Sequence, residues 1–118
     1  MKKIFHLSTC DTNQRILKEL ELGDDVELQD IKKENIDEET LSFIKDKVGS
    51  YEALFSKRAR KYRSLGLNAI KLTEEDYKKY LLEEYTFLKR PFIILGEKVF
   101  VGNSKETIAK AKETYHKK

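Results

Sequence analysis

Apolar and polar positions along this chain switch between a strand period and a helix period. "KKIFHL" is an apolar run of strand length, and the "CDTNQRILKELEL" that begins three residues later spaces Ile16, Leu17 and Leu20 along one face of a helix, ending near Gly23. "VELQD" at 26–30 alternates like a second strand, so residues 2–30 read as a right-handed βαβ unit. From Asp37 the spacing of Leu41, Ile44 and Val48 predicts an amphipathic helix, capped by Asp37 and stopped by Gly49. "SYEALFSKRARKYRSLG" reads as shorter helical pieces. "TEEDYKKYLLEEY" reads as a further helix, with Thr73 and Asp76 as its cap and Tyr77, Tyr80, Leu81 and Leu88 on one face. The strand period returns in "PFIILGEKVFVGN", a hairpin of Phe92 to Leu95 and Lys98 to Val101 turning at Gly96-Glu97. Ser104 then caps a closing helix whose inner face is Ile108, Ala111 and Tyr115.

The order is therefore βαβ, helices, ββα, an α/β arrangement without a low-complexity linker or an internal repeat. At 118 residues the chain suits one domain, with a core large enough to stand without a metal or disulfide staple.

Charge and cysteine usage narrow the function. Charged residues make up 38% of the chain, yet 24 basic against 21 acidic side chains leave only +3, a solvated surface without the electrostatic footprint of direct nucleic-acid binding. One cysteine excludes an intramolecular disulfide. The brief apolar stretch in "MKKIFHLSTC" is broken by His6 and Ser8, so neither a signal peptide nor a membrane span is expected, and a cytoplasmic, thiol-reducing location follows. His6, Cys10 and His116 lack ligand-like spacing, so no metal is expected.

An early cysteine at a strand-to-helix turn and a lone proline, Pro91, just before a late strand resemble the thioredoxin fold carrying a helical insertion. That resemblance implies a mixed four-stranded sheet, with a core of about residues 1–34 and 86–118 and an insertion of about 35–85 in a single domain. It also implies a cis bond at Pro91, facing the cysteine; read alone, Pro91 is an ordinary strand-edge proline. More narrowly, four stretches resemble the arsenate reductase (ArsC), Spx and YffB family in order and spacing: "HLSTCDT", "SKRARKYRSLGL", "FLKRPFII" and "VGN". With the element order they cover nearly the whole chain.

The physics at Cys10 agrees with the resemblance. A sulfur at a helix start lies beside the N–H groups of Asp11, Thr12 and Asn13 and the positive end of the helix dipole, which favour a thiolate and can hold an oxyanion. The bland readings are an inert thiol at Cys10, helix capping by Thr12 and turn stabilisation by Asn13, while Asp11 suits the dipole but not a neighbouring thiolate. His6 occupies the place of a histidine that favours the thiolate in ArsC-type reductases; read alone, it is a packed strand histidine. "CDT" looks more like the YffB branch, which lacks that histidine.

Arg90, directly before Pro91, matches an arginine the family keeps beside the thiol. Arg58 and Arg60 belong to a run of five cations at 57–63, either a solvated face or groups that attract a tetrahedral oxyanion or the carboxylates of glutathione. Family arsenate reductases use three arginines. Aligned on Tyr62, Ser56 stands at the first position and Asn103 near the third, leaving only Arg90 in register.

The resemblance thus implies a thiol-dependent oxidoreductase with Cys10, Arg90 and His6 as catalytic residues and Asp11, Thr12, Asn13, Arg58, Arg60 and Pro91 around the substrate. The substrate is a small oxyanion or a disulfide. No cofactor is bound; with no second cysteine, glutathione or glutaredoxin resolves the adduct. The alternative is an Spx-like regulator that docks on RNA polymerase, to which the neighbourhood of Gly49 points. Asn13, however, stands where the second cysteine of the Spx switch would be.

Overall fold

The computed structural model describes residues 1–117, which divide into two units, residues 1–34 with 90–117, and residues 35–89. The first is built on a four-stranded mixed sheet of β1 (Lys2–His6), β2 (Glu27–Asp30), β3 (Phe92–Leu95) and β4 (Lys98–Val101), in the order β2-β1-β3-β4. β1 runs parallel to β2 and antiparallel to β3, and β3 and β4 form an antiparallel hairpin. The parallel pair needs a crossover, supplied by α1 (Asp11–Glu19).

Side chains alternate across this sheet. Ile4 and its cross-strand partner Ile93 lie in a core with Ile16 and Leu20, Val26, and Ile108 and Ala111 of α5 (Lys105–His116). Phe5, Phe92 and Ile94 occupy the opposite phase and are also buried. Full burial of such a side chain contributes roughly 1.5–3 kcal/mol. The central strands β1 and β3 are therefore apolar on both faces. Edge strand β2 shows no alternation: Glu27 and Leu28 are both exposed.

Turn chemistry fixes the remaining connections. Gly96 has φ +66 while Glu97 does not enter positive φ, which matches a two-residue hairpin turn with glycine first. Ser104 accepts the Thr107 N–H and starts α5. Helix α1 stops at Glu19, short of Gly23, because Glu21 itself takes the left-handed conformation at φ 51. Gly23 serves instead as a hydrogen-bond donor to Tyr115.

The second unit is helical. α2 (Glu38–Val48) is capped by Asp37, whose side chain accepts the Thr40 N–H, and ends at Gly49 with φ 117. Leu41 and Ile44 are buried, but Val48, at the last turn, is exposed. α3 (Arg60–Ser64) lies among short 3-10 turns at 52–54, 67–69 and 85–87. α4 (Glu74–Glu83) begins with a reciprocal capping box between Thr73 and Asp76. Leu88 lies beyond α4, not on its face: it pairs with Phe55 in an isolated antiparallel bridge, with Ser56 N–H donating to Phe87 O and Lys89 N–H to Leu54 O. Phe55 anchors an aromatic cluster, stacked on Phe87 at 4.7 Å and edge-on to Tyr77 at 5.0 Å and Tyr62 at 5.7 Å.

Candidate active site

The ladder of β1 ends at His6, and four residues, Leu7 to Cys10, carry the chain to α1. Cys10 is the N-cap of α1, with φ −97 and ψ 113, and it is half-buried. Its N–H donates to Leu7 O at 3.1 Å and its carbonyl accepts Gln14 N–H at 3.1 Å, closing the first helical turn. The sulfur makes no capping bond to the helix. Asp11, Thr12 and Asn13 are the first three residues of α1, whose N–H groups have no partner within a helix, so the helix start that follows Cys10 carries free backbone donors.

Of these three, Asp11 is exposed, Thr12 is half-buried and Asn13 is buried. The Asn13 side chain turns back to the loop, where its Oδ1 accepts Leu7 N–H at 2.9 Å, while its Nδ2 is buried with no partner. The Asn13 side chain is thus committed to the turn.

His6 is also buried, opposite Asp30 in the β1–β2 register, and its carbonyl accepts Ile31 N–H at 2.8 Å. Burial lowers the imidazole pKa against the opposing pull of the Asp30 carboxylate. The ring therefore favours its neutral form. Its Nδ1 is buried without a partner.

The antiparallel pairing of β1 with β3 places the end of β1 beside the start of β3, where Phe5 faces Phe92. The Arg90–Pro91 bond directly before β3 is cis, and Pro91 O accepts Gly102 N–H at 3.0 Å. One end of the sheet, where β1 stops and β3 starts, therefore carries His6, the Cys10 loop, the half-buried Arg90 and the cis proline. Arg58 and Arg60 belong to the second unit, where both are exposed at the start of α3.

Two residues at this end escape sequence reasoning. Asp30, the last residue of β2, accepts Ser8 N–H at 3.3 Å and the Ser8 hydroxyl at 2.5 Å. These bonds, the hydroxyl first, hold the Asp30 carboxyl below the usual carboxylate range, helped by Lys32 N–H. The partners lie 22 residues apart, and no short-range pattern links them. Among the described residues, no three His, Cys, Asp or Glu side chains stand together as a metal site, and no helix is long and apolar enough to cross a membrane.

The model of the ArsC family matches residues 5–111, which include the Cys10 loop, the cis proline, the end of β1 and the whole of β2, β3 and β4. The chain belongs to the ArsC family. Within it, the chain is arsenate reductase-like. Solved structures agree on the fold. A YFFB protein matches at 23% identity and a TM-score of 0.78, covering 94% of this chain and 98% of its own. An arsenate reductase from Vibrio cholerae matches at 18% identity and a TM-score of 0.79, covering 93% and 96%. An arsenate reductase (ArsC) related protein from Brucella melitensis matches at 26% identity and a TM-score of 0.69, covering 99% and 95%. No curated protein matches. The mixed sheet β2-β1-β3-β4 with its helical insertion is the ArsC-like thioredoxin fold.

Proposed function

We propose that this ArsC-family chain is a thiol-dependent oxidoreductase whose nucleophile is the Cys10 thiolate and whose reductant is glutathione or a glutaredoxin. The observation that carries the reading is the place of Cys10 at the N-cap of α1, at the end of the sheet that also holds the cis Arg90–Pro91 bond. The thiolate attacks one sulfur of a disulfide, the S–S bond breaks, and the departing thiolate takes a proton from solvent. A glutathione thiolate then attacks the mixed disulfide, carries away the substrate sulfur and releases Cys10 as thiolate. The helix N–H groups and the Arg90 guanidinium stabilise the negative charge of the incoming substrate.

With Ser56 and Asn103 at positions where the resemblance calls for arginines, Arg90 is the cation left in register. Each charge-assisted hydrogen bond contributes roughly 1.5–3 kcal/mol, so this set suits an anionic mixed disulfide of glutathione with another thiol better than an arsenate-like oxyanion. The polymerase-docking alternative gains nothing from Gly49, because its φ of 117 accounts for glycine there through helix termination alone. The experiment is glutathione-dependent reduction of a small disulfide and of arsenate by wild type and Cys10→Ser. Disulfide turnover lost in the variant is expected; turnover retained without the thiol would overturn the reading.

A further inference from the structure

The loop that carries Cys10 begins where backbone pairing stops. His6 O still accepts Ile31 N–H, but the next two amides go to side chains from the two flanking elements. Leu7 N–H donates to Asn13 Oδ1 at 2.9 Å, and Ser8 N–H donates to Asp30 Oδ1 at 3.3 Å, where the Ser8 hydroxyl also donates to Asp30 Oδ2. Cys10 N–H closes back on Leu7 O. Leu7 is therefore held at its N–H by α1 and in turn holds Cys10 through its carbonyl.

The burial of Asn13 argues that the amide is there for this geometry. It is 1% exposed, and its Nδ2 has no partner, so the site carries a half-satisfied polar group in the interior. An aliphatic residue would remove that buried Nδ2 but leave Leu7 N–H, on a residue 7% exposed, without an acceptor. A carboxylate would accept the same bond but would bury a negative charge three residues from the thiol. A neutral acceptor satisfies both conditions. Asp30 is only half-buried and carries its charge against the Ser8 N–H and hydroxyl and the Lys32 N–H.

We infer that Asn13 and Asp30 are the positioning residues of the Cys10 loop, fixing the sulfur at the start of α1 by accepting the N–H groups of Leu7 and Ser8. Neither is hydrogen-bonded to the sulfur, and the inference rests on the nucleophile reading of Cys10. Slackening either contact lets Cys10 leave the helix start, where the N–H groups and the dipole favour the thiolate.

The test is the pH profile of Cys10 alkylation by iodoacetamide, with melting temperatures, for wild type, Asn13→Ala, Asp30→Ala, Asp30→Asn and Ser8→Ala. The profile midpoint should rise by about one pH unit in Asn13→Ala, which below both midpoints is a loss of about tenfold in rate. Asp30→Ala and Ser8→Ala should rise by less, and Asp30→Asn, which keeps an acceptor oxygen, should recover most of the shift. Should Asn13→Ala not fold, the variants at half-buried Asp30 and exposed Ser8 decide the matter. A wild-type midpoint below that of free glutathione, with all variants overlaying it while melting temperatures fall, would leave these residues merely structural and overturn this inference alone. A wild-type midpoint equal to that of free glutathione would overturn the nucleophile reading and this inference with it.

Discussion

Tyr115 Oη accepts the N–H of Gly23 at 2.8 Å, joining the last turn of α5 to the loop after α1. The same hydroxyl donates to Asp25 at 2.5 Å, and Lys2 at the start of β1 reaches Asp25 at 2.7 Å. The clasp therefore gathers both ends of the first unit. Tyr115→Phe keeps the ring and removes both the acceptor for Gly23 N–H and the donor to Asp25, which should cost about 1–3 kcal/mol and lower the melting temperature by several degrees. An unchanged thermal melt would show that water replaces the hydroxyl without loss.

In the second unit, the capping box at α4 is the most local stabilising device. Thr73→Ala removes the acceptor for Asp76 N–H and should destabilise by about 1 kcal/mol, whereas Thr73→Ser should retain most of the stability. Urea unfolding of the three proteins checks this.

His6 sets a pH dependence whose sign follows from its burial. Its folded-state pKa lies below the unfolded value of about 6.5, so between the two the unfolded chain binds the extra proton. Stability is therefore retained above the unfolded pKa and falls as the pH drops below it. His6→Gln should lack this component. Urea midpoints for both proteins from pH 8 to pH 5 should diverge at the alkaline end and converge toward the acid end.

Asp30 acts in the acidic range with the same sense by a different route. Its carboxyl is depressed mainly by the Ser8 hydroxyl, so its contribution is present above the unfolded carboxylate pKa and lost as the pH falls through the lower folded value. A proton NMR titration of Asp30 should show a midpoint below that of the Ser8→Ala variant.

Arg90→Ala should slow formation of the Cys10–glutathione adduct from anionic oxidised glutathione by about ten- to a hundredfold, the loss of one charge-assisted contact, while slowing the reaction with a neutral disulfide much less. Equal effects on both substrates would remove Arg90 from charge recognition.

What was legible in the sequence is local. Thr73 and Asp76, Asp37 and Gly49, Gly96, and Ser104 act within a few residues, and their chemistry is visible as spacing. The start of α1 at Cys10 is legible for the same reason. Leu88 continues the helical period past Glu83, yet it leaves the helix to pair with Phe55, a tertiary contact that periodicity cannot register. Gly23 resembles a helix stop, but Glu21 already takes the left-handed turn and Tyr115, far along the chain, uses Gly23. At the candidate site, Ser8 and Asp30 meet only because β1 and β2 are parallel neighbours, so their pairing exists in the topology and nowhere in the spacing.

The measurement closest to the central claim is intact-mass spectrometry of the protein after exposure to oxidised glutathione, and again after adding reduced glutathione. One glutathione adduct should form on wild type, be absent from Cys10→Ser, and disappear on reduction. No adduct on wild type under conditions that modify a free thiol, or an adduct that reduced glutathione cannot remove, would contradict a Cys10 nucleophile recycled by glutathione.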